Sequence, residues 1–138
     1  MILYLDSSSL VKLYVEEAGS SEVEALVAAA DGAATSRTAY AELRSALARK
    51  QREGGLSAAD RARIAAAFRS EWDRLIVQEV TQDAVELAGD LSERHSLRAL
   101  DAIHLASARL LAEQSRIPVR FSSSDRRLQE AAASEGMA

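Results

Sequence analysis

The amino-acid sequence predicts an α/β fold: a three-layer α/β/α sandwich with a central parallel sheet of four to five strands and helices on both faces. Three observations predict it. Short apolar segments alternate with longer helical segments, which is the pattern of a parallel sheet covered on both sides. Alanine is abundant and only 4% of the residues are aromatic, which favours helix. The length of 138 residues, without a Gly-, Ser- or Pro-rich linker, suits one domain over residues 1–138.

Each element rests on a local pattern. The strands are short apolar runs: ILYL at 2–5, GAATS at 32–36, LIVQEV at 75–80 and PVRFS at 118–122. Helical spacing of apolar residues occupies the segments between and after them: 8–17, 20–30, 37–55, 58–74, 82–96, 98–111 and 123–134. The last helix is followed only by ASEGMA, so a fifth strand is doubtful.

Capping residues mark where several of these helices begin. Thr35 or Ser36 is expected to cap the helix after the second strand. Ser57 caps the next helix, with Asp60 in the position of a capping-box carboxylate. Thr81 caps the helix that follows the third strand. These positions fix the helix starts within the alternating pattern.

Composition excludes several classes of site. The chain has no cysteine, which excludes disulfides, zinc–thiolate sites and cysteine nucleophiles, and its two histidines argue against a multi-histidine metal site. The N-terminus lacks the positive charge of a signal peptide, and no segment has the roughly 20 apolar residues of a membrane span. We therefore expect a cytoplasmic protein without a membrane partner. The net charge of −4 argues against indiscriminate binding to nucleic acid.

Four acidic residues fall where the predicted strands end. Asp6 directly follows the first strand, Glu42 lies in the first turns of the helix after the second, and Asp125 follows the fourth. Asp101 lies at the start of a helix that returns toward the sheet. Ligand sites of open parallel sheets gather beyond the carboxyl ends of the strands, so the four carboxylates are expected to converge. The alternative for each acid is a solvated charge or a helix cap.

Local pairing separates two of these acids from the others in the chain. Most acids have a basic residue three or four positions away, as exposed helix faces do, whereas Glu42 has none and Asp101 has only Arg98. Carboxylates that converge without cations raise each other's pKa unless an ion compensates them. An all-oxygen site favours Mg²⁺ or Mn²⁺, and such ions recur in enzymes that hydrolyse phosphodiesters.

Four blocks of the sequence carry a family resemblance: YLDSSSLVKLYVEE, TSRTAYAELRSALAR, LRALDAIHLASARLL and FSSSDRRLQEAA. In this order and at these separations they resemble the signature blocks of the PIN-domain family, in particular the VapC-type toxins of toxin–antitoxin pairs. The resemblance covers nearly the whole chain. It implies a PIN-like α/β/α sandwich and a Mg²⁺- or Mn²⁺-dependent endoribonuclease, in which a metal-activated water leaves 5′-phosphate and 3′-hydroxyl ends.

The resemblance also assigns roles to residues. The family's four acids match Asp6, Glu42, Asp101 and Asp125, which are therefore the expected catalytic residues. Asp6 and Asp101 are implied as direct metal ligands, and Glu42 and Asp125 as ligands through water or of a second ion. The hydroxyls of Ser8 and Ser123 are expected to orient carboxylates or a phosphate, with a plain turn or cap role as the alternative.

Substrate and partner expectations complete the hypothesis. Arg126 and Arg127 are expected to bind RNA phosphates, and the remaining arginines to lie on solvated helix faces. His104 either touches substrate or a carboxylate, or is a partly exposed helix histidine that packs on its neighbours. The family implies a cognate antitoxin protein and a homodimer. Two alternatives stay open: a non-catalytic metal- or RNA-binding module, and a haloacid-dehalogenase-type phosphatase, which would need an aspartate where Ser8 stands.

Overall fold

A computed structural model describes residues 1–138 and shows one parallel sheet of four strands. The strands are β1 (Ile2–Leu5), β2 (Gly32–Ser36), β3 (Ile76–Gln78) and β4 (Val119–Ser122), in the order β3-β2-β1-β4. Strand β1 lies in the centre, where Ile2 is aligned with Gly32 on one side and with Val119 on the other. All pairs are parallel, so the carboxyl ends of all four strands meet at one edge.

Seven α-helices surround the sheet: α1 (Ser7–Leu10), α2 (Ser20–Ala29), α3 (Ala39–Arg52), α4 (Ala58–Glu71), α5 (Gln82–His95), α6 (Ala99–Ser115) and α7 (Arg126–Ser134). Short 3₁₀ segments extend α1 and α4, at Val11–Leu13 and Trp72–Arg74. None of the helices is long and apolar enough to cross a membrane.

The two faces of the sheet pack against separate cores. Successive side chains of a strand point to opposite faces, so Ile2 and Tyr4 pack with α5, α6 and α7, while Leu3 and Leu5 pack with α1 to α4. Burial on both faces explains why β1 is apolar along its whole length. The predicted three-layer α/β/α sandwich is confirmed, with four strands.

Some local predictions are wrong. The segment 8–17 is not one helix, because α1 ends at Leu10 and becomes a single 3₁₀ turn before the left-handed Gly19. Neither Thr35 nor Ser36 caps α3, because both lie in β2 and the helix begins only after Thr38. The hydroxyl of Thr35 instead donates to the carbonyl of Leu5 (2.7 Å), and that of Ser36 accepts the Thr38 N–H (3.3 Å). The caps at Ser57 and Thr81 are confirmed.

No fifth strand forms beside β4. The chain after α7 returns to its edge, where the carbonyl of Met137 accepts the Phe121 N–H at 2.9 Å. It is the only backbone hydrogen bond between β4 and the residues after α7. A single bond covers part of the strand edge without extending the sheet.

Candidate active site

The carboxyl edge of the sheet collects the four acids from different elements. Asp6 follows β1, Glu42 lies in the first turn of α3, Asp101 in the first turn of α6, and Asp125 precedes α7. Parallel alignment of Leu5 with Ser122 brings the chain after β1 beside the chain after β4, and the Asp6 N–H donates to the carbonyl of Ser122 at 3.1 Å.

Three donors orient the Asp6 carboxylate, which is only 3% exposed. Its Oδ1 accepts hydrogen bonds from the Ser9 N–H (2.9 Å) and the Ser8 hydroxyl (2.6 Å), and its Oδ2 accepts from the Ser123 hydroxyl (2.6 Å). Asp6 is therefore the N-cap of α1, as the helix-cap alternative predicted, and its carboxylate lies at the carboxyl edge of the sheet. Ser8 and Ser123 both lie on this carboxylate, one on each oxygen.

Glu42 is held by a hydroxyl and an imidazole. Its Oε2 accepts from the Ser7 hydroxyl at 2.9 Å, and its Oε1 lies 2.8 Å from His104 Nε2. Burial alone would raise the pKa of Glu42, but the hydrogen bond and charge of His104, together with the Ser7 bond, outweigh it and lower the pKa below its usual value. Glu42 is thus maintained as a carboxylate.

His104 lies behind Glu42, in the core. It is 1% exposed, so the expectation of a partly exposed helix histidine is wrong. Its Nδ1 lies 2.9 Å from the hydroxyl of Tyr4, which is completely buried in β1. At this depth His104 has no surface for direct contact with a substrate, and of the two expected contacts the structure shows the one to a carboxylate, that of Glu42.

Asp101 and Asp125 line one small cavity of about 330 Å³, together with Ser96, Leu97, Arg98 and Arg127. Burial raises the pKa of Asp101, and the charges of Asp125 and Asp6 raise it further, against the lowering effect of His104 and Arg98. Asp125 is the N-cap of α7, since its Oδ1 accepts the Leu128 N–H at 3.1 Å. Three of the four predicted carboxylates therefore interact electrostatically.

The acids do not form a closed cage in this arrangement. No group of three or more acidic or histidine side chains is close enough to enclose an ion. The donor chemistry nevertheless fits a hard divalent cation, because Asp6, Asp101 and Asp125 offer only oxygen and their charges repel one another. A cation would require these side chains to converge further than they do here.

A second, larger cavity of about 590 Å³ opens on the other side of Glu42, between α1 and α3. Most of its lining residues are polar or charged, and they include Ser7, Ser8, Glu42, Ser45, Arg49 and Lys50. Lys50 pairs with Glu17 at 3.0 Å. Arg49, two turns beyond Glu42 on the same helix, is exposed, and its side chain makes no hydrogen bond or ion pair.

The two arginines predicted to bind RNA lie in different surroundings. Arg127 lines the cavity of Asp101 and Asp125. Arg126 is 93% exposed and pairs with Glu130 at 3.0 Å on the outer face of α7. The structure therefore brings Arg127 to the acids and leaves Arg126 on a solvated helix face.

Contacts of Ser7 and Tyr4 with the site were not predicted from the sequence. Ser7 follows Asp6 directly in the run DSSS, and a helix starting at that run turns the first and second serines toward different acids. The run itself was the available signal, since an acid followed by three hydroxyls marks a helix start. Tyr4 has no such signal, because a tyrosine in an apolar strand is typical of a core residue.

Comparisons with known proteins identify the family of this chain. The chain matches the family model of the PIN domain over residues 3–134. It is 39% identical over 107 residues to ribonuclease VapC45 of Mycobacterium tuberculosis (strain CDC 1551 / Oshkosh) and equally to ribonuclease VapC49 of strain H37Rv, covering 78% of this chain and 74% of each relative.

Solved structures share the fold at lower identity. VapC20 of Mycobacterium tuberculosis, described as a Sarcin-Ricin loop cleaving toxin, has a TM-score of 0.64 at 20% identity, covering 99% of this chain and 96% of that one. A toxin–antitoxin complex from Klebsiella pneumoniae has a TM-score of 0.59 at 18% identity, covering 89% and 88%. With the family model matched from β1 to α7 and two VapC ribonucleases 39% identical, the chain belongs to the PIN-domain family, in its VapC group.

Proposed function

We propose that this protein is a Mg²⁺- or Mn²⁺-dependent endoribonuclease and the toxin of a toxin–antitoxin pair. The observation that carries the proposal is the electrostatic crowding of Asp101 by Asp125 and Asp6 at the carboxyl edge of the sheet. Like charges on three separate elements are costly to a fold, and a bound cation removes that cost. The names of the two curated ribonuclease relatives support the reaction class.

Asp6 and Asp101 would hold the ion directly, with Asp125 and Glu42 as ligands through water or of a second ion. When bound, a divalent ion would supply an activated water nucleophile and stabilise charge on the phosphate. The chain's own contribution is orientation. Ser8 and Ser123 fix both oxygens of Asp6, and Ser7 fixes one oxygen of Glu42.

The substrate that fits this edge is a single strand of RNA. Cations flank the acids on both sides. Arg49 and Lys50 line the cavity between α1 and α3, and Arg98 and Arg127 line the cavity of Asp101 and Asp125. A strand crossing from one cavity to the other would place one phosphate at the carboxylates and neighbouring phosphates at the cations. This path binds the backbone, which is the sequence-independent part of RNA recognition.

Stacking on aromatic side chains contributes little to this path. Tyr14 and Tyr40 pack against Phe68, and Tyr40 also packs against Trp72, all within 5.4 Å between ring centroids. These rings are thereby committed to the core between α3 and α4. We propose that RNA shape, or the combined surface of a homodimer, selects the target rather than a row of stacked bases.

We also propose a cognate antitoxin as protein partner, homodimer formation and action in the cytoplasm, where cellular RNA is cleaved. The Klebsiella complex, which has the same fold, supports the antitoxin.

Cleavage of single-stranded RNA by the purified protein tests the proposal. We expect Mg²⁺ or Mn²⁺ to be required, EDTA to abolish cleavage, and Asp6→Asn and Asp101→Asn each to abolish it. Undiminished cleavage by both variants would overturn the proposed site. Metal binding without hydrolysis would instead favour a binding module.

A further inference from the structure

A chain of four hydrogen-bonded polar side chains leads from the core, where Tyr4 and His104 are buried, to the half-buried Glu42 and Ser7 at the candidate site. Tyr4 of β1 contacts His104 of α6, His104 contacts Glu42 of α3, and Ser7 of α1 contacts the other oxygen of Glu42. The three bonds measure 2.9, 2.8 and 2.9 Å. Each bond joins residues 35 or more positions apart in the sequence, so this chain of contacts is built by the tertiary fold.

We infer that His104 is a positioning residue that fixes the carboxylate of Glu42 for RNA cleavage, with Tyr4 as its anchor. The inference rests on the proposed ribonuclease function and assigns a role that the four carboxylates alone do not explain. His104 does not touch the substrate. It acts through Glu42.

The direction of the hydrogen bonds follows from the partners. A carboxylate only accepts, so the bond to Glu42 requires a hydrogen on Nε2 of His104. A tyrosine hydroxyl both donates and accepts, so Tyr4 pairs with Nδ1 whether the imidazole is neutral or charged. In both states the Nε2–H is left to donate to Glu42. Hydrogen bonds of this kind behind a ligand set its orientation.

The anchor is rigid. The Tyr4 ring is stacked on Phe121 of β4, with centroids 5.3 Å apart and planes 11° from parallel, and meets the His104 ring edge-on at 5.9 Å. Tyr4 and His104 are 0% and 1% exposed. Water therefore cannot replace Tyr4 as the partner of Nδ1, and the imidazole has no room to turn away from Glu42.

Glu42 retains unused hydrogen-bond acceptor positions that are available for a role in RNA cleavage. A carboxylate has about four acceptor positions, and His104 and Ser7 occupy one on each oxygen. Glu42 also lines the cavity between α1 and α3, which reaches the solvent. Its free lone pairs are therefore available on the side of the candidate site.

The other histidine provides a matched control. His95 Nε2 lies 2.8 Å from Glu135 Oε1, the same type of pair at the same distance. Glu135 lies after α7 at the C-terminal end of the chain and is held additionally by Arg94 and Arg109. Loss of this pair should affect stability and not the reaction.

Steady-state cleavage of a labelled single-stranded RNA by purified variants tests the inference. We expect His104→Leu to lower kcat about 10- to 100-fold with KM unchanged, as is typical when a partner behind a ligand is lost. His104→Gln, whose amide can donate to Glu42, should recover part of the loss. Tyr4→Phe removes one hydroxyl and keeps the ring, so it should fold and lose less activity. His95→Leu should retain the wild-type kcat.

A double-mutant cycle separates positioning from a general packing defect. In the Glu42→Gln background, His104→Leu should cause no further loss of kcat, because both act through the same carboxylate. A full additional loss in that background would overturn the inference, as would wild-type kcat in both His104→Leu and Tyr4→Phe.

Nuclear magnetic resonance detects the hydrogen bond between His104 and Glu42 without an activity assay. The Nε2–H proton of His104 should exchange slowly with water and shift on Glu42→Gln, while the His95 signal stays in place. Rapid exchange, or no shift, would overturn the inference. An absence of RNA cleavage by the wild-type protein with this signal intact would count against the proposed function and not against the contact.

Discussion

Asp101 and Asp125 face one cavity, and after burial the charge of Asp125 is the largest cause of the raised pKa of Asp101. Asp101 lies in the first turn of α6 and Asp125 is the N-cap of α7, and neither has a cation at ion-pair distance. The fold therefore keeps together two carboxylates that repel each other. A destabilising pair at the carboxyl edge of a parallel sheet is typical of a functional site.

Asp101→Asn should stabilise the metal-free protein at neutral pH. An acid whose pKa is raised by folding costs stability at every pH above its unfolded value, and the cost disappears as pH falls below that value. We expect the variant to melt a few degrees above the wild type at pH 7.5 and the two curves to converge toward pH 4. Thermal melts across this range in EDTA measure the difference.

Asp90→Asn is the control for that measurement. Asp90 is exposed on α5 and makes no ion pair or side-chain hydrogen bond. Its substitution should leave the melting temperature unchanged at every pH. Equal or lower stability of Asp101→Asn at pH 7.5 would contradict the electrostatic crowding of Asp101 by Asp125 and Asp6.

Divalent ions should make the wild-type protein more stable than the Asp101→Asn variant. Mg²⁺ or Mn²⁺ at about 100 times its dissociation constant stabilises a one-site protein by about 2.7 kcal/mol. We expect this gain in the wild type and its loss in Asp6→Asn and Asp101→Asn, since both would remove a direct ligand. Melts with and without Mn²⁺ provide the measurement, and an equal gain in all three proteins would place the ion elsewhere.

Arg49 and Arg127 should bind RNA, and Arg126 should not. Each cation at a phosphate contributes about 0.7 to the slope of log binding constant against log salt for a single strand. Arg49→Ala and Arg127→Ala should therefore each reduce this slope and raise KM, with kcat unchanged. Arg126→Ala is the matched control, because Arg126 is 93% exposed and paired with Glu130. A larger effect of Arg126→Ala would reverse the assignment.

Glu135 should stabilise the fold in a pH-dependent way without affecting RNA cleavage. The hydrogen bond of His95, with Arg94 and Arg109, lowers its pKa against the effect of burial. A lowered pKa stabilises the protein above the unfolded value, and this gain is lost as pH falls through the folded value. Glu135→Gln should cost on the order of 1–2 kcal/mol at pH 7 and less near pH 4, measured by urea unfolding.

Much of the fold could be predicted because its signals are local. The apolar run of β1 and the caps at Ser57 and Thr81 depend on neighbours in the sequence. The segment 8–17 could not be predicted in the same way. Its apolar residues have helical spacing, yet Leu10 and Val11 pack into the core under α3 and the chain must then turn before α2.

In the candidate site, too, the residues with local sequence signals could be predicted and the long-range contacts could not. Asp6 could be predicted because the end of a parallel strand is itself a local signal. The contact between Glu42 and His104 joins residues 62 positions apart, and nothing near either residue encodes it. The depth of His104 was missed for the same reason: it depends on which side of α6 faces the sheet and on the Tyr4 hydroxyl beneath it.

The ends of the RNA products test the central claim most directly. Hydrolysis by activated water leaves a 5′-phosphate and a 3′-hydroxyl and does not use the 2′-hydroxyl at the cut. We predict that the Mg²⁺-dependent products of the wild-type protein carry these ends, that a single 2′-deoxynucleotide at the cut is still cleaved, and that Asp101→Asn yields no product. Products ending in a 2′,3′-cyclic phosphate, formed equally in EDTA, would contradict the account.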